Sequence, residues 1–195
     1  MTSKTDRYKK VQSLYLQMRQ LSSGFMTFKG EDDNKVQIAF DNNPKLDELI
    51  ELIDNIPNDK KIIVFHHFVY TNHLICKALK KNKIKHTSVY GGTKDKIGNI
   101  RFFKDNKDCR VLVINSKSGS SSQNLQLANY IVFFEEPDSP IDREQAERRA
   151  WRPGQENKVN IIDLIVKGTA DEKMYRYNKE GRDLLKAVLD GKELL

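Results

Sequence analysis

Gln145, Arg149 and Arg152 form the most chemically pointed pattern in the chain. Set on a helix they fall at i, i+4 and i+7, so a carboxamide and two guanidinium groups share one face. Guanidinium stays protonated, and its planar fork of donors matches phosphate oxygens. Such a face can stabilise a phosphoryl group. The flanking residues supply the helix. Ser139, Pro140 and Asp142 read as N-cap, first helical residue and capping-box partner, and Pro153-Gly154 as the stop. Arg152 precedes proline, which pushes it from helical geometry to the frayed end. Taken alone, the same residues also suit an ordinary charged surface helix.

The elements that must hold this helix alternate. Residues 61–65, 86–90, 110–116, 129–134 and 159–166 read as strands, and 71–82, 94–106 and 140–151 as helices. This order implies an α/β fold: an open, mainly parallel β-sheet with right-handed crossovers and helices on both faces. Nearly unbroken apolar runs, Ile62 to Phe65 and Ile131 to Phe134, fit strands buried on both sides. Ligands of such sheets collect beyond the carboxyl ends of the strands. The loops expected there are Phe65 to Phe68, Gly91-Gly92-Thr93-Lys94, and the serine-rich run Ser116 to Leu125. Backbone N–H groups and hydroxyls at such turns suit phosphate oxygens, although Gly91 to Thr93 also makes sense as a plain turn.

The run Gln145 to Gln155 resembles motif VI of superfamily-2 helicases, in the form carried by Snf-type DNA-dependent ATPases and their phage relatives. Gln145, Ala146, Arg149, Arg152, Gly154 and Gln155 all match. The resemblance implies a RecA-like domain. It also implies that Arg149 and Arg152 act as arginine fingers, with Gln145 orienting the cleft, on a nucleotide held by a separate N-terminal RecA-like domain. Fingers of this kind are worth about 10³–10⁵ in rate. The serine-rich loop is similar to motif V: Gly119, Asn124 and Leu125 fit, whereas Ser122 replaces its second glycine. Gly119 and Asn124 are therefore candidate cofactor contacts. Residues 62–68 look like motif IV, whose loop leans on a nucleic-acid backbone. Together with the loop chemistry, this makes His66, Thr93, Lys94, Ser116, Lys117 and Ser118 candidate nucleic-acid contacts, double-stranded DNA being the implied substrate.

Other segments extend the resemblance along the chain. Gly168 to Glu172 matches the family's G-T-x-D-E, and Thr169 with Glu172 makes a capping box. Met174, Tyr177, Gly181, Leu185 and Val188 then recur at helical spacing as a core stripe, with Gly181 permitting a kink. Glu135 to Pro140 stands where Snf-type proteins carry an acidic residue followed by Trp-Asn-Pro. Asp138 and Ser139 replace Trp and Asn there, which marks a diverged, viral-type member. Residues 1–60 look like the lead-in to such a domain, packing on it: a polar helix over 7–21, a loop at 22–24, a strand over 36–40 and a helix over 44–53. Residues 61–195 form the RecA-like part.

Composition sets the bounds. With 195 residues, 38% hydrophobic and 31% charged, one sizeable domain is expected and disorder is not. Lys and Arg number 34 against 27 Asp and Glu, a net +7 that favours a polyanionic partner. No apolar run reaches the ~20 residues of a membrane span, and Met1 to Lys10 leads into no apolar region typical of a signal peptide. A cytoplasmic chain is expected, in the host cytoplasm for a virus and in the nucleus for a eukaryote. Cys76 and Cys109 lack metal-site spacing and read as reduced thiols.

A complete motor also needs a Gly-Lys-Ser/Thr phosphate loop and a strand-end acidic pair for magnesium. Here the only Gly-Lys is Gly191-Lys192, followed by Glu193. ATP and Mg²⁺ are therefore expected to be held mainly by the N-terminal domain, and the isolated chain is expected to be inactive. An alternative is a stand-alone module that binds nucleic acid or another helicase. A doubly wound enzyme for a nucleotide-containing substrate ranks last, because the first strand is not followed by Gly-x-Gly-x-x-Gly.

Overall fold

The computed structural model describes residues 4–30, 32, 34–118, 124–151 and 158–192. Strands β3 (Ile62–His66), β4 (His86–Val89), β5 (Val111–Asn115), β6 (Tyr130–Phe133) and β7 (Asn160–Asp163) form one sheet in the order β4-β5-β3-β6-β7. All pairings in it are parallel, with Ile63 opposite Leu112 on one side and Ile131 on the other. The covering helices are α2 (Pro44–Asn55), α3 (Val69–Lys81), α4 (Lys96–Asp105) and α5 (Pro140–Ala150).

The pleat explains the unbroken apolar runs. Ile63, Phe65, Leu112, Ile114, Ile131 and Phe133 point to one face, where Ile100 and Phe103 of α4 and Ala146 and Ala150 of α5 cover them. Ile62, Val64, Val111, Val113, Val132 and Phe134 point to the other, against Leu49 and Ile53 of α2 and Ile75 and Leu79 of α3. Each such side chain contributes about 1.5–3 kcal/mol by leaving water. Polar groups finish the ends: Lys61 Nζ donates to the carbonyls of Phe103, Asn106 and Cys109 at 2.7–2.8 Å, capping the C-terminal end of α4.

The N-terminal segment divides between two cores. Helix α1 (Lys4–Ser22) packs on α6 (Ala170–Lys179) and α7 (Leu184–Leu189), with Tyr15 against Met174, Tyr177 and Leu184. Helix α2 instead lies on the sheet, and buried Lys45 near its start pairs with Asp171 of α6. Between α1 and α2 stands an antiparallel hairpin, β1 (Phe25–Lys29) with β2 (Lys35–Ala39). Only its second strand is expected from sequence, because the short run of β1 becomes a strand through pairing. Gly24 makes the entry turn at φ +85°, where a Cβ would meet the Asn43 side chain at 2.0 Å.

The core stripe after residue 170 differs from expectation in one respect. Met174, Tyr177, Leu185 and Val188 do pack together, but on two helices. Gly181, at φ +68°, ends α6 with a left-handed residue instead of kinking a continuous helix.

Candidate nucleotide and nucleic-acid edge

Helix α5 begins as its sequence dictates. Ser139 Oγ accepts from Asp142 N at 3.2 Å, and Pro140 occupies the first turn. Ala146 and Ala150, both fully buried, let the helix lie close on the sheet. That places Gln145 in solvent and Arg149 half-buried one turn later. Because helical side chains lean toward the N-terminus, the Arg149 guanidinium reaches back to the carboxyl end of β5. There its Nη2 donates to the Ser116 carbonyl at 3.3 Å. Burial lowers the affinity of this guanidinium for its proton, and Asp142 partly opposes the shift. The Arg149 carbonyl accepts from Leu125 N at 2.9 Å, so the segment after the serine-rich loop is tied to the same helix end. Arg152 and Gly119 lie outside the described residues.

The loop after β5 is built by Asn115. Its Oδ1 accepts from Lys117 N at 2.9 Å, its carbonyl accepts from Ser118 N at 2.9 Å, and its Nδ2 donates to the His67 carbonyl. Asn115 and Ser116 therefore tie this loop to the segment after β3, and Ser116 meets Arg149 at the same edge. Ser116 is buried, and its Oγ has no hydrogen-bond partner among the described residues. Asn124 is exposed and turns the chain through its own side chain, Oδ1 accepting from Gln126 N at 3.0 Å. Thr93 follows β4, and its Oγ1 accepts from Tyr90 N at 3.0 Å, closing a turn beside exposed Lys94.

His66 requires correction as a nucleic-acid contact. Its side chain is 0% exposed, so no phosphate reaches it. Nδ1 lies 3.0 Å from the Phe68 carbonyl and Nε2 3.1 Å from Asn72 Nδ2, which fits a ring that donates at Nδ1 and accepts at Nε2. Burial pushes its pKa down to about 4, so the ring is neutral at working pH. It is an internal strut, and the partly exposed neighbour at this edge is His67.

Sequence reasoning missed the acidic residues that shape the edge. Buried Glu135 accepts from His67 N at 2.6 Å, Phe68 N at 3.0 Å and Thr71 Oγ1 at 2.6 Å, fixing the loop after β3. Burial favours its neutral form, but hydrogen bonds from Ser23, Thr71 and the Phe68 backbone outweigh it and leave the pKa lowered. Buried Arg143 donates to Glu136 at 2.6 Å, Asp163 at 2.5 Å and Glu147 at 2.7 Å, joining the segment after β6 to α5 and β7. Asp138 receives Arg19 from α1 and Lys117 from the β5 loop. The available signal was the acidic cluster directly after a buried strand, since such carboxylates need partners.

The parallel sheet covered on both faces is an α/β fold, and its match to a solved helicase domain makes it RecA-like. The crystal structure of the C-terminal part of the Fun30 ATPase domain superposes with a TM-score of 0.67 at 29% identity, covering 77% of this chain and 51% of that one. Residues 44–154 match the helicase conserved C-terminal domain, and the chain belongs to that family. Its relatives include Snf-type ATP-dependent helicases. The ATP-dependent helicase FUN30 of Saccharomyces cerevisiae is 32% identical over 139 residues, 69% of this chain and 12% of that protein. A putative helicase of Invertebrate iridescent virus 6 is 31% identical over 140 residues, 71% of this chain and 23% of the viral protein. The RAD54-like DNA repair and recombination protein of Drosophila grimshawi is 27% identical over 162 residues, 78% of this chain and 21% of the relative. The chain thus spans 12% to 23% of the length of these relatives. Among the described residues no helix is long and apolar enough to cross a membrane.

Proposed function

We propose that this chain is the C-terminal half of an ATP-dependent DNA translocase, supplying arginine fingers to a nucleotide cleft that an N-terminal RecA-like domain completes. The observation that carries this reading is the Arg149 guanidinium, held at the carboxyl edge of the sheet by the Ser116 carbonyl. A guanidinium there is a preset source of positive charge for the charge that develops on a transferring phosphoryl group. Arg152 is the second finger and Gln145 orients the cleft. Gly119 and Asn124 flank the nucleotide, while Thr93, Lys94, Ser116, Lys117 and Ser118 track the nucleic-acid backbone, with double-stranded DNA as substrate.

The donor set fits one part of the implied cofactor: guanidinium groups suit phosphate oxygens. ATP with Mg²⁺ supplies the phosphoanhydride to be cleaved, and cradling its phosphates and metal falls to the partner domain, in cis or in trans. Positioning of the nucleotide and metal provides much of phosphoryl-transfer catalysis. The isolated chain therefore has negligible turnover. It works wherever its DNA lies, in the cytoplasm or, in a eukaryotic host, the nucleus.

The test is reconstitution. The chain is mixed with an N-terminal RecA-like domain of its own motor and duplex DNA, and ATP hydrolysis is followed. Turnover well above the sum of the separate halves is expected. Turnover equal to that sum would contradict the reading.

A further inference from the structure

Asp138 gathers side chains from α1 and from two loops at the carboxyl edge. Its Oδ1 accepts from Arg19 Nη1 and lies 3.6 Å from His67 Nε2, while its Oδ2 accepts from Lys117 Nζ. The partners differ in kind. Arg19 is 3% exposed and also donates to the Glu136 carbonyl at 2.5 Å, so it is a built-in anchor. The Lys117 side chain is 53% exposed and reaches Asp138 from solvent, so it is the exchangeable partner. Burial raises the affinity of the Asp138 carboxyl for its proton, but His67, Arg19 and Lys117 outweigh burial and hold it below the usual carboxylate range. The group is an anion at neutral pH.

We infer that Asp138 is an electrostatic latch: its carboxylate occupies Lys117 as a phosphate would, and a nucleic-acid phosphodiester must displace it to engage this lysine. The inference rests on the nucleic-acid edge proposed above. The strengths are suitable for exchange. A partly exposed ion pair is worth little and is screened by salt, so a phosphate can replace the carboxylate. Arg19 remains paired with Asp138 throughout, so release frees Lys117 without leaving the carboxylate bare.

Two readouts test the latch on the full chain. Fluorescence anisotropy with a labelled duplex compares wild type, Asp138→Asn, Lys117→Gln and the double variant, each checked for an intact melting transition. Asp138→Asn is expected to bind about two- to fivefold tighter, the reciprocal of a weak pair. In the Lys117→Gln background the same change is expected to have no effect. An equal gain in both backgrounds would reduce Asp138 to a repelling charge, and no gain at all would also overturn the latch. Should Asp138→Asn unfold by stranding Arg19, wild type answers alone. Duplex is expected to shift the Asp138 carboxyl carbon and the Lys117 Nζ resonances together, and unchanged resonances at saturation overturn the latch. Absence of duplex binding in every variant instead overturns the nucleic-acid reading itself.

Discussion

The Arg149 guanidinium lies 3.3 Å from the Ser116 carbonyl oxygen, joining the last turn of α5 to the loop that leaves β5. A backbone carbonyl is thus one of the groups that orient this guanidinium. Arg143, two turns earlier on the same helix, shows the contrast: it is buried among Glu136, Asp163 and Glu147. One helix thus carries a buried arginine tied to three carboxylates and a half-buried arginine at the carboxyl edge of the sheet.

Replacing Arg143 with methionine should destabilise the domain by about 3–5 kcal/mol, because buried carboxylates lose their cation. Burial already pushes the Glu136 pKa up despite Arg143, and the substitution pushes it further. A carboxyl with a raised folded pKa gains stability as pH falls through that value. Chemical denaturation should therefore show a smaller deficit at pH 5 than at pH 8. Equal deficits would contradict this.

His66 sets a pH dependence of opposite form. Its folded pKa of about 4 lies below the ordinary 6.5, so the unfolded chain binds the extra proton between those values. Stability is complete above pH 6.5 and falls toward pH 4, by roughly 3 kcal/mol from this residue. In His66→Asn the slope of unfolding free energy against pH should lose about one proton over that window. An unchanged slope would show that the ring protonates freely in the fold.

Two glycines in the left-handed region should respond unequally to alanine. At Gly181, φ +68°, an added Cβ meets nothing within 4 Å, so the cost is conformational, about 1–2 kcal/mol. At Gly24, φ +85°, the Cβ would strike the Asn43 side chain that caps α2. The midpoint of thermal unfolding should drop further for Gly24→Ala. Equal drops would mean that Asn43 moves aside without cost.

Much of the fold was legible because its signals are local. Caps marked the starts of α5 and α6, and nearly unbroken apolar runs marked β3 and β6. The site was legible only as far as residue type and spacing carry it. Arg149 could be read from its helix face, yet its hold on Ser116 joins segments 33 residues apart. His66 misled because a loop histidine and a buried strand-end histidine share the same sequence context. Here Asn72 and the Phe68 carbonyl draw the ring inward. Glu135 and Asp138 were missed as organisers because their partners, from Arg19 to Lys117, lie on remote segments. Strand β1 escaped because it depends on pairing with β2.

The decisive measurement is the single-turnover rate of ATP hydrolysis by the reconstituted motor on saturating duplex DNA, compared between wild type and Arg149→Ala. The fold should survive, and the rate should fall by a factor of about 10³ or more, as for loss of an arginine finger. A variant that folds, binds duplex and hydrolyses ATP at the wild-type rate would contradict the assignment of Arg149 to the nucleotide.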